Sequence, residues 1–506
     1  MIPVFSQFRW RVSMFTAMLL AGLSTVFALA LPLSASGAVE LVQVSSDPYA
    51  NSTSQHQDEV EPDTYAFGST IVSAFQVGRF YDGGGSDIGW ATSNDSGRTW
   101  THGYLPGTTV YATPSGPYDR ISDPAVAYDA AHKTWLISSL VIKDELGTNI
   151  GVGVIVSRST DGGFTWQSPV VVGLAGPKSF YDKDWIVCDD HAHSRFYGHC
   201  YVEWDDANSN GRILMSASTD GAKTWGSPLS PAHQNFFGIG GQPLVQPNGT
   251  VVVPITSSAT QSSIVAFSSA NGGASWSSAV TVAQIFIFTE NATMRDGTNL
   301  VSAEIDAAGK IYVVWSDCRF EPHCSTEYGS ANDIVMSTST DGTTWSAPQR
   351  IPIDPVGGGV NHIIPGIGVD RSTSGSQAHL ALTYYYFSNA ACFTYNCQLY
   401  VGFISSTSGG ASWSDREQLA GPMRMPWLPD TSSGFMVGDY ISTSIVHSMA
   451  YTVFAVATSP SDEHLNEEMY TAQDLTVVGG SVTAQHDAVF VTSTSGSVVP
   501  LVRKVY

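Results

Sequence analysis

The sequence predicts an all-β fold, and three observations support that prediction. Stretches of alternating apolar and β-branched residues recur along the chain, as in Asn149–Val156 and Asp333–Met336. A short Ser/Asp/Gly/Trp pattern returns six times, with its tryptophans 51 to 69 residues apart. No stretch behind the N-terminal segment has the periodicity of an amphipathic helix. A repeat of this length is typical of a β-propeller built from four-stranded blades.

The repeated pattern is a turn sequence followed by a tryptophan. Its copies are Ser93–Trp100, Ser159–Trp166, Ser218–Trp225, Ser269–Trp276, Ser339–Trp345 (one residue shorter) and Ser406–Trp413. Asp-Gly and Asn-Gly favour the positive φ of a tight hairpin turn, and the Asp or Ser side chain can accept hydrogen bonds from the turn amides. We therefore predict six similar hairpins, each with its tryptophan packed on a blade.

These segments resemble the Asp-box, or BNR, repeats of the sialidase superfamily, and the resemblance covers about residues 58–475. It implies one Asp-box β-propeller domain over residues 39–506, with a short C-terminal extension from about residue 476. We favour seven blades over six and expect Val39–Gln43 to supply the outer strand of the last blade. The innermost strands are expected at Asp63–Tyr65, Asp123–Val126, Asp184–Val187, Gln242–Val245, Asn299–Val301, Pro365–Ile367 and Asp439–Ile441.

The N-terminus has the order of a secretory signal peptide over residues 1–38. Arg9 and Arg11 precede an apolar run, and small-residue cleavage sites end at Ala30 and Ala38. The alternative is an uncleaved anchor helix. The interpretation as a signal predicts a secreted protein without a membrane segment once the signal is removed.

The six cysteines are consistent with a secreted protein. The cysteines form three close pairs, which predict local disulfides at Cys188–Cys200, Cys318–Cys324 and Cys392–Cys397.

The chain has 22 Lys and Arg against 44 Asp and Glu, a formal net charge of −22. This acidity argues against a nucleic-acid partner, because no basic excess exists to neutralise phosphates.

Candidate site residues lie where innermost strands of a propeller begin, because those strands line a central funnel. Polar groups that converge on a funnel are the default site hypothesis for this architecture. The candidates found in this way are Glu61, Asp123, Lys183, Asp184, Arg295, His362, Asp439 and Tyr440, with Arg79 and Arg120 on nearby loops.

The resemblance to sialidases implies more definite roles. That family clamps a substrate carboxylate with arginines, and uses an acidic residue and a nucleophilic tyrosine. The segment 74–87 is similar to the stretch that carries the family's second arginine and its acid, which implies Arg79 as the arginine and Asp82 or Asp87 as the acid. The segment Gly438–Ser442 is similar to the surroundings of the nucleophile, which implies Tyr440 with Asp439.

Two further positions follow from the same resemblance. Arg319 falls near where another clamp arginine belongs, and Glu61 stands where the family has its first arginine. A carboxylate at that position would repel a substrate carboxylate. The machinery of a sialidase is therefore incomplete in this sequence.

We expect a sialidase-like glycoside hydrolase that acts on a terminal or acidic sugar. The alternatives are a non-catalytic propeller that binds glycans or proteins, and a polysaccharide lyase on uronic acids with His362 or Tyr440 as its base. No cofactor and no metal are expected. Calcium at the segment Asp206–Gly211 is the alternative, although the twelfth position of that loop is Ala217 rather than a liganding Glu.

Overall fold

The computed structural model describes residues 39–145, 148–258, 262–289, 292–295, 300–324, 331–461 and 464–483. The predicted signal peptide (residues 1–38) and residues 484–506 of the predicted C-terminal extension lie outside the described residues. Within them, strands dominate and the helical segments are single 3-10 turns at Ala207–Ser209, Gly375–Gln377, Thr394–Asn396 and Met425–Trp427. The all-β fold class is confirmed.

The described part of the chain contains 32 strands. In chain order they are β1 Leu41–Gln43, β2 Glu59–Phe67, β3 Thr70–Arg79, β4 Gly85–Ser93, β5 Thr101–Tyr104, β6 Arg120–Asp129, β7 Thr134–Glu145, β8 Thr148–Ser159, β9 Val170–Leu174, β10 Tyr181–Cys188, β11 Cys200–Asp206, β12 Arg212–Ser218, β13 Gly238–Ile239, β14 Leu244–Val245, β15 Val251–Ser258, β16 Ser262–Ser269, β17 Val280–Gln284, β18 Ser302–Ile305, β19 Ile311–Asp317, β20 Asp333–Ser339, β21 Gln349–Arg350, β22 Asn361–Val369, β23 Leu380–Phe387, β24 Gln398–Ser406, β25 Ser412–Trp413, β26 Glu417–Arg424, β27 Asp430–Thr431, β28 Gly434–Phe435, β29 Ser442–Val446, β30 Met449–Ala457, β31 Glu467–Ala472 and β32 Val482–Thr483.

Most of these strands form antiparallel sheets in chain order. The sheets comprise β2–β5, β6–β9, β10–β12, β13–β17, β18–β21, β22–β24 with β26, and β29–β31 with β1, and we number them one to seven. Sheets one and two are joined by a single ladder pair, Gly85 and Ile121. Strand β1 pairs antiparallel with β31, with Leu41 opposite Ala472, so the N-terminal strand is the outer strand of the last sheet. That prediction is confirmed.

One strand of each sheet contacts the corresponding strand of the next sheet. These strands are β2, β6, β10, β14, β18, β22 and β29, and β29 returns to contact β2. The predicted innermost segments lie within or overlap these strands in five sheets. In sheets five and seven the predicted segments precede the strands, which begin at Ser302 and Ser442. The cyclic order supports seven blades, and the blade count stays a prediction.

The six repeated segments share one turn geometry. In the first, the Ser93 hydroxyl donates to Asp95 Oδ1 (2.9 Å), and the Gly97 and Thr99 amides donate to Ser93 Oγ (2.8 Å) and Asp95 Oδ1 (2.9 Å). Corresponding bonds recur in the other copies. In the sixth copy, Ser408 accepts the bond that an Asp or Asn side chain accepts in the others, from Ser412 N at 2.9 Å. Replacement of Asp by Ser therefore preserves the turn.

The tryptophans of these turns differ in burial and in hydrogen bonding, since the indole nitrogens of Trp225, Trp276 and Trp345 have no hydrogen-bond partner among the described residues. Trp100 and Trp413 each donate the indole N–H to the carbonyl of the glycine three residues earlier, at 3.1 Å in both cases. Trp413 is 0% exposed and belongs to a core cluster of sheets five and six, whereas Trp100 is only partly buried. Trp100 and Trp413 thus make the same hydrogen bond at different degrees of burial.

The predicted disulfides are confirmed at Cys188–Cys200, Cys318–Cys324 and Cys392–Cys397. The first joins β10 to β11 at directly opposed positions. Disulfides persist in oxidising environments, so these three bridges fit an extracellular protein. In the described part of the chain, no helix combines the length and the apolar character needed to cross a bilayer.

Trp413→Ala is expected to lower the free energy of unfolding by about 3–5 kcal/mol, because it empties a fully buried ring site. Trp100→Ala loses the same hydrogen bond from a partly exposed site and should cost clearly less. Urea unfolding of both variants measures the two losses. Equal losses would show that ring burial does not determine how much each turn stabilises the fold.

Candidate functional site

The first strands of four sheets carry a β-bulge near their start. The pairing register shifts between Val60 and Asp63 in β2, and equivalent shifts occur in β6, β10 and β22. Within these bulges Glu61, Asp123 and Lys183 adopt positive φ angles of 57°, 49° and 31°. Positive φ is uncommon for residues other than glycine and costs on the order of 1–3 kcal/mol, so it persists where the surroundings hold it.

Lys183 is the centre of a buried ion cluster that these bulges bring together. Its ammonium Nζ lies 2.6 Å from Asp439 Oδ2, 2.7 Å from Asp123 Oδ1 and 3.4 Å from Glu61 Oε1. Arg295 adds a second contact to Asp439, with Nε 2.7 Å from Oδ1 and Nη2 bonded to Oδ2. We call Glu61, Asp123, Lys183, Arg295 and Asp439 the axial cluster.

Gly438 makes room for this arrangement. It has a φ of 139°, and a Cβ at this position would lie 2.7 Å from the backbone nitrogen of Glu61. Both the backbone conformation and the space therefore require glycine. The close approach sets Asp439 beside the bulge of β2.

The two outer carboxyl groups of the cluster have opposite electrostatic environments. Burial raises the pKa of Glu61 to about 7, despite the favourable charge of Lys183. Burial also opposes ionisation of Asp439, but the charges of Arg295 and Lys183 lower the pKa of Asp439 well below its ordinary value. Near neutral pH these pKa values leave Asp439 ionised and Glu61 protonated in only part of the molecules. Two carboxyl groups whose pKa values are pushed apart are typical of an acid/base pair.

Arg79 is next to the cluster but covered by Gln76. The guanidinium Nη1 donates to Gln76 Oε1 at 3.0 Å, and the Gln76 amide donates in turn to Glu61 and to Ser122 Oγ (3.0 Å). Arg79 is fully buried, and burial lowers its pKa. In this geometry Arg79 acts on Glu61 through Gln76 and has no free face for a substrate carboxylate.

Tyr440 lies beside the axial cluster, and its hydroxyl group and its ring both have packing partners. Its hydroxyl donates to the Pro124 carbonyl at 3.0 Å, and its ring packs edge-on against Trp185. Burial raises the pKa of Tyr440 well above its ordinary value. The hydrogen bond to Pro124 and the raised pKa both oppose deprotonation of Tyr440, and the role that the sialidase resemblance implies for this residue stays a prediction.

The other inferred clamp and acid residues have structural partners elsewhere. Arg120 pairs with Asp82 and Asp144 over the ring of Phe80, and is separate from the axial cluster. Arg319 pairs with Asp317 Oδ2 at 2.7 Å. These two arginines are therefore occupied by carboxylates of their own neighbourhoods.

The remaining acidic candidates are buried in the sheets. Asp87 accepts bonds from the Tyr49 hydroxyl (2.7 Å) and the Thr108 hydroxyl (2.6 Å), and burial raises its pKa to about 7. Asp184 follows Lys183 in β10, and burial together with the neighbouring Asp123 charge raises its pKa well above the ordinary value. Neither residue is a member of the axial cluster.

His362 lies in a different group of residues. Its ring contacts Asp354, the carbonyl of Asn332 and the ring of Tyr384. The structure thus assembles Glu61, Asp123, Lys183, Arg295 and Asp439 from the predicted set, and it keeps His362, Arg120 and Arg319 apart from them.

The sequence analysis missed Gln76, Glu203 and Asp205. Gln76 carries no motif that would have marked it. Glu203 and Asp205 lie in the buried strand β11, and burial raises the pKa of both well above ordinary values. Acidic residues inside an otherwise apolar strand are rare, and that contrast is a usable signal.

A cavity lies at each end of the first strands. One is lined by Asp439, Tyr440 and Ile364, while the other is lined by Tyr65, Glu304 and Arg371 among others, and both are small. In the second, Arg371 Nη2 lies 3.1 Å from Glu304 Oε2 and the guanidinium covers the Tyr65 ring. Tyr65 follows Glu61 by four residues in β2, a distance of ~13 Å in an extended strand.

The segment considered for calcium is a hairpin turn. Asp206 Oδ1 accepts from the Phe180 amide (3.0 Å) and Oδ2 accepts from the Ser209 hydroxyl (2.7 Å). Asn210 takes the left-handed conformation that completes the turn. The Asp206 carboxylate is thus used to cap the hairpin.

No protein-family model matches the sequence, and no curated protein is significantly similar to it. Solved structures similar to this chain include a protein of unknown function from Dyadobacter fermentans DSM 18053, at 17% identity over 73% of this chain and 98% of that one, with a TM-score of 0.46. A polysaccharide lyase of family PL25, an ulvan lyase, has 10% identity over 86% and 96% of the two chains, with a TM-score of 0.49. The NanB sialidase of Streptococcus pneumoniae has 15% identity over 87% and 71%, with a TM-score of 0.42. These similarities assign no family and no activity to this chain.

Stability is expected to fall as the pH rises from 5 to 8. Burial raises the pKa of each of several carboxyl groups to about 7, among them Asp58, Asp63, Asp87 and Asp190. In this pH range the folded protein binds more protons than the unfolded chain, so the stabilisation present below the unfolded pKa is lost as the pH passes the folded one.

The Tm measured across this range tests that expectation. Asp190→Asn removes one such titration and should flatten the decline. A Tm that stays constant or increases from pH 5 to pH 8 would contradict the prediction.

Proposed function

We propose that the protein is a secreted carbohydrate-active enzyme with a seven-bladed β-propeller fold that acts on an anionic sugar at the axial cluster. The observation that carries this proposal is the pair of carboxyl groups, Glu61 and Asp439, whose pKa values are shifted in opposite directions around Lys183. The cyclic order of the seven sheets and the Asp-box-like turns support the fold. The three disulfides support secretion.

Glu61 is the proposed general acid. A carboxyl group with a pKa of about 7 is protonated often enough near neutral pH to give its proton to a leaving glycosidic oxygen. Asp439 is the proposed permanent anion, which stabilises positive charge as it develops at the anomeric carbon. Lys183 joins the two groups and keeps Asp439 ionised.

Arg295 is the proposed contact for the substrate's negative charge. Its side chain is 26% exposed, which makes it the most accessible member of the cluster. The bonds to Asp439 use Nε and Nη2, and no hydrogen bond to a described residue involves Nη1. A guanidinium has five N–H donors, so this edge remains for a carboxylate or sulfate of a sugar.

The arrangement favours a hydrolase over a lyase with a tyrosine base. The Tyr440 hydroxyl is bonded to Pro124, and its raised pKa opposes deprotonation. The proposed reaction also differs from that of a sialidase. The sialidase family binds the substrate carboxylate with an arginine at the position that Glu61 occupies here. The proposed enzyme therefore relies on two carboxyl groups.

Glycan binding without catalysis is the second candidate, and one observation favours it. Phe393 and Tyr395 are 69% and 71% exposed on the loop closed by Cys392–Cys397. Thr394, between them, lies 2.9 Å from the hydroxyl of Thr293, two residues before Arg295. Exposed aromatic rings with apolar faces are suited to packing on sugar rings.

Product analysis of carboxylated, sulfated and neutral oligosaccharides by mass spectrometry tests the proposal. Hydrolysis adds water to the products, elimination leaves an unsaturated uronate, and binding alone leaves the glycan intact. Glu61→Gln is expected to lower kcat by about 10²–10⁴-fold, the usual contribution of a general acid, and to leave binding in place.

Glu304→Gln is the matched control, because Glu304 is also a carboxylate in an ion pair, with Arg371 rather than Lys183, and it lines the other cavity. It should retain full activity. Unchanged turnover in Glu61→Gln, or an equal loss in both variants, would contradict the role of Glu61. An intact glycan that binds the wild-type protein would favour the second candidate.

Arg295→Lys keeps the charge but loses the planar fork, so KM for an anionic glycan should rise by roughly tenfold or more, the loss of one good charged hydrogen bond. Arg371→Lys changes the corresponding ion pair at the far end and serves as the control. Equal KM values for wild type and Arg295→Lys would exclude Arg295 as the anion contact.

A further inference from the structure

Three buried ligand atoms without hydrogen-bond partners converge between sheets five and six. They are Asp333 Oδ2 at the start of β20, Asp354 Oδ2 in the loop after β21, and His362 Nε2 in β22. The candidate ligand atoms of these three residues lie within 4.8 Å of one another. The His362 and Asp333 side chains are 1% and 3% exposed, so water does not readily supply the missing partners.

The tautomer of His362 follows from its other nitrogen. Nδ1 lies 3.1 Å from the carbonyl oxygen of Asn332, which can only accept a hydrogen bond. Nδ1 is therefore the N–H donor, and Nε2 of the neutral ring carries a lone pair. That lone pair lies 3.5 Å from Asp354 Oδ2, so two acceptors face each other. A backbone carbonyl that fixes Nδ1–H is the usual outer contact of a metal-binding histidine.

Arg350 orients both carboxylates without using the converging oxygens. Its Nη2 bonds Asp333 Oδ1 at 2.7 Å and Asp354 Oδ1 at 3.1 Å. The second oxygen of each carboxylate is thereby left for a different partner. Arg416 Nη1, on a half-exposed side chain, approaches Asp354 Oδ2 only to 3.7 Å, beyond hydrogen-bond distance.

A cation satisfies this geometry better than a proton does. A proton on Nε2 would serve Asp354 Oδ2 and would leave Asp333 Oδ2 unpaired in the interior, which is costly for a carboxylate. A divalent ion bonds all three atoms at once. Two ligands that bind Zn²⁺ at ~2.0–2.2 Å in a tetrahedral site lie roughly 3.4 Å apart, close to the observed separation of His362 Nε2 and Asp354 Oδ2.

We propose that Asp333, Asp354 and His362 bind one divalent transition-metal ion, with Zn²⁺ as the best match to one imidazole and two carboxylates. The ligands come from sheet five, from the connection that leaves it, and from the first strand of sheet six. The ion therefore links two neighbouring sheets. This site is separate from the axial cluster and does not depend on the proposed function.

Metal analysis of the untagged, secreted protein tests the proposal. After treatment with a chelator and reloading with ZnCl₂, mass spectrometry of the bound metal should give one zinc per chain. The Tm should rise on loading and fall again with chelator. Co²⁺ in place of Zn²⁺ should give the visible absorption of a low-symmetry site in the wild-type protein, a measurement that needs no variant.

Asp354→Asn and His362→Gln are expected to abolish stoichiometric binding and the Tm response to zinc. His379→Gln is the matched control, because its Nδ1 contacts the hydroxyl of Ser448 away from the three ligands, and it should bind like the wild type. If the two ligand variants fail to fold, the cobalt spectrum and the chelator-dependent Tm of the wild type decide. A wild-type protein that takes up no zinc or cobalt, or ligand variants that retain both, would overturn the proposal.

Discussion

The arrangement of the first strands depends on how the buried ammonium group of Lys183 is neutralised by carboxylates. A buried ammonium is costly unless carboxylates surround it, and here Glu61 of sheet one, Asp123 of sheet two and Asp439, three residues before β29, do so. No one of these sheets could place the charge alone, because each contributes a single group. Removing one carboxylate would leave a buried positive charge less compensated. The ion cluster therefore links sheets one, two and three to the segment that leads into β29.

The local parts of the fold could be predicted from the sequence because local chemistry determines them. The turn around Asp95 needs only its own Ser, Asp and Gly, and the same rule predicts the turn at Ser408 where the carboxylate is replaced. The outer position of β1 could be predicted because a propeller in which the first strand completes the last blade needs that pairing. The starts of β18 and β29 were placed too early, since these strands begin at Ser302 and Ser442.

The partners of the site residues could not be predicted, because they depend on contacts between sheets. Arg79 resembles a substrate clamp in sequence, yet Gln76 covers it. Tyr440 resembles a nucleophile, yet Pro124 from another sheet accepts its hydrogen bond. One sequence signal marks two of the bulges: Pro62 and Pro124 follow Glu61 and Asp123 directly, and proline cannot donate to a strand ladder. The same signal does not identify Lys183, because Asp184 follows it.

The pairing of β1 with β31 also determines when the molecule can be completed. Leu41 lies opposite Ala472, so the first strand of the described chain finds its partner only after nearly all of the chain has been synthesised. Such a contact has a very large separation in sequence, and contacts of that kind slow folding. Until then the open edge of β31 is available to any other extended segment. The pairing of β1 with β31 is thus what covers this edge in the folded protein.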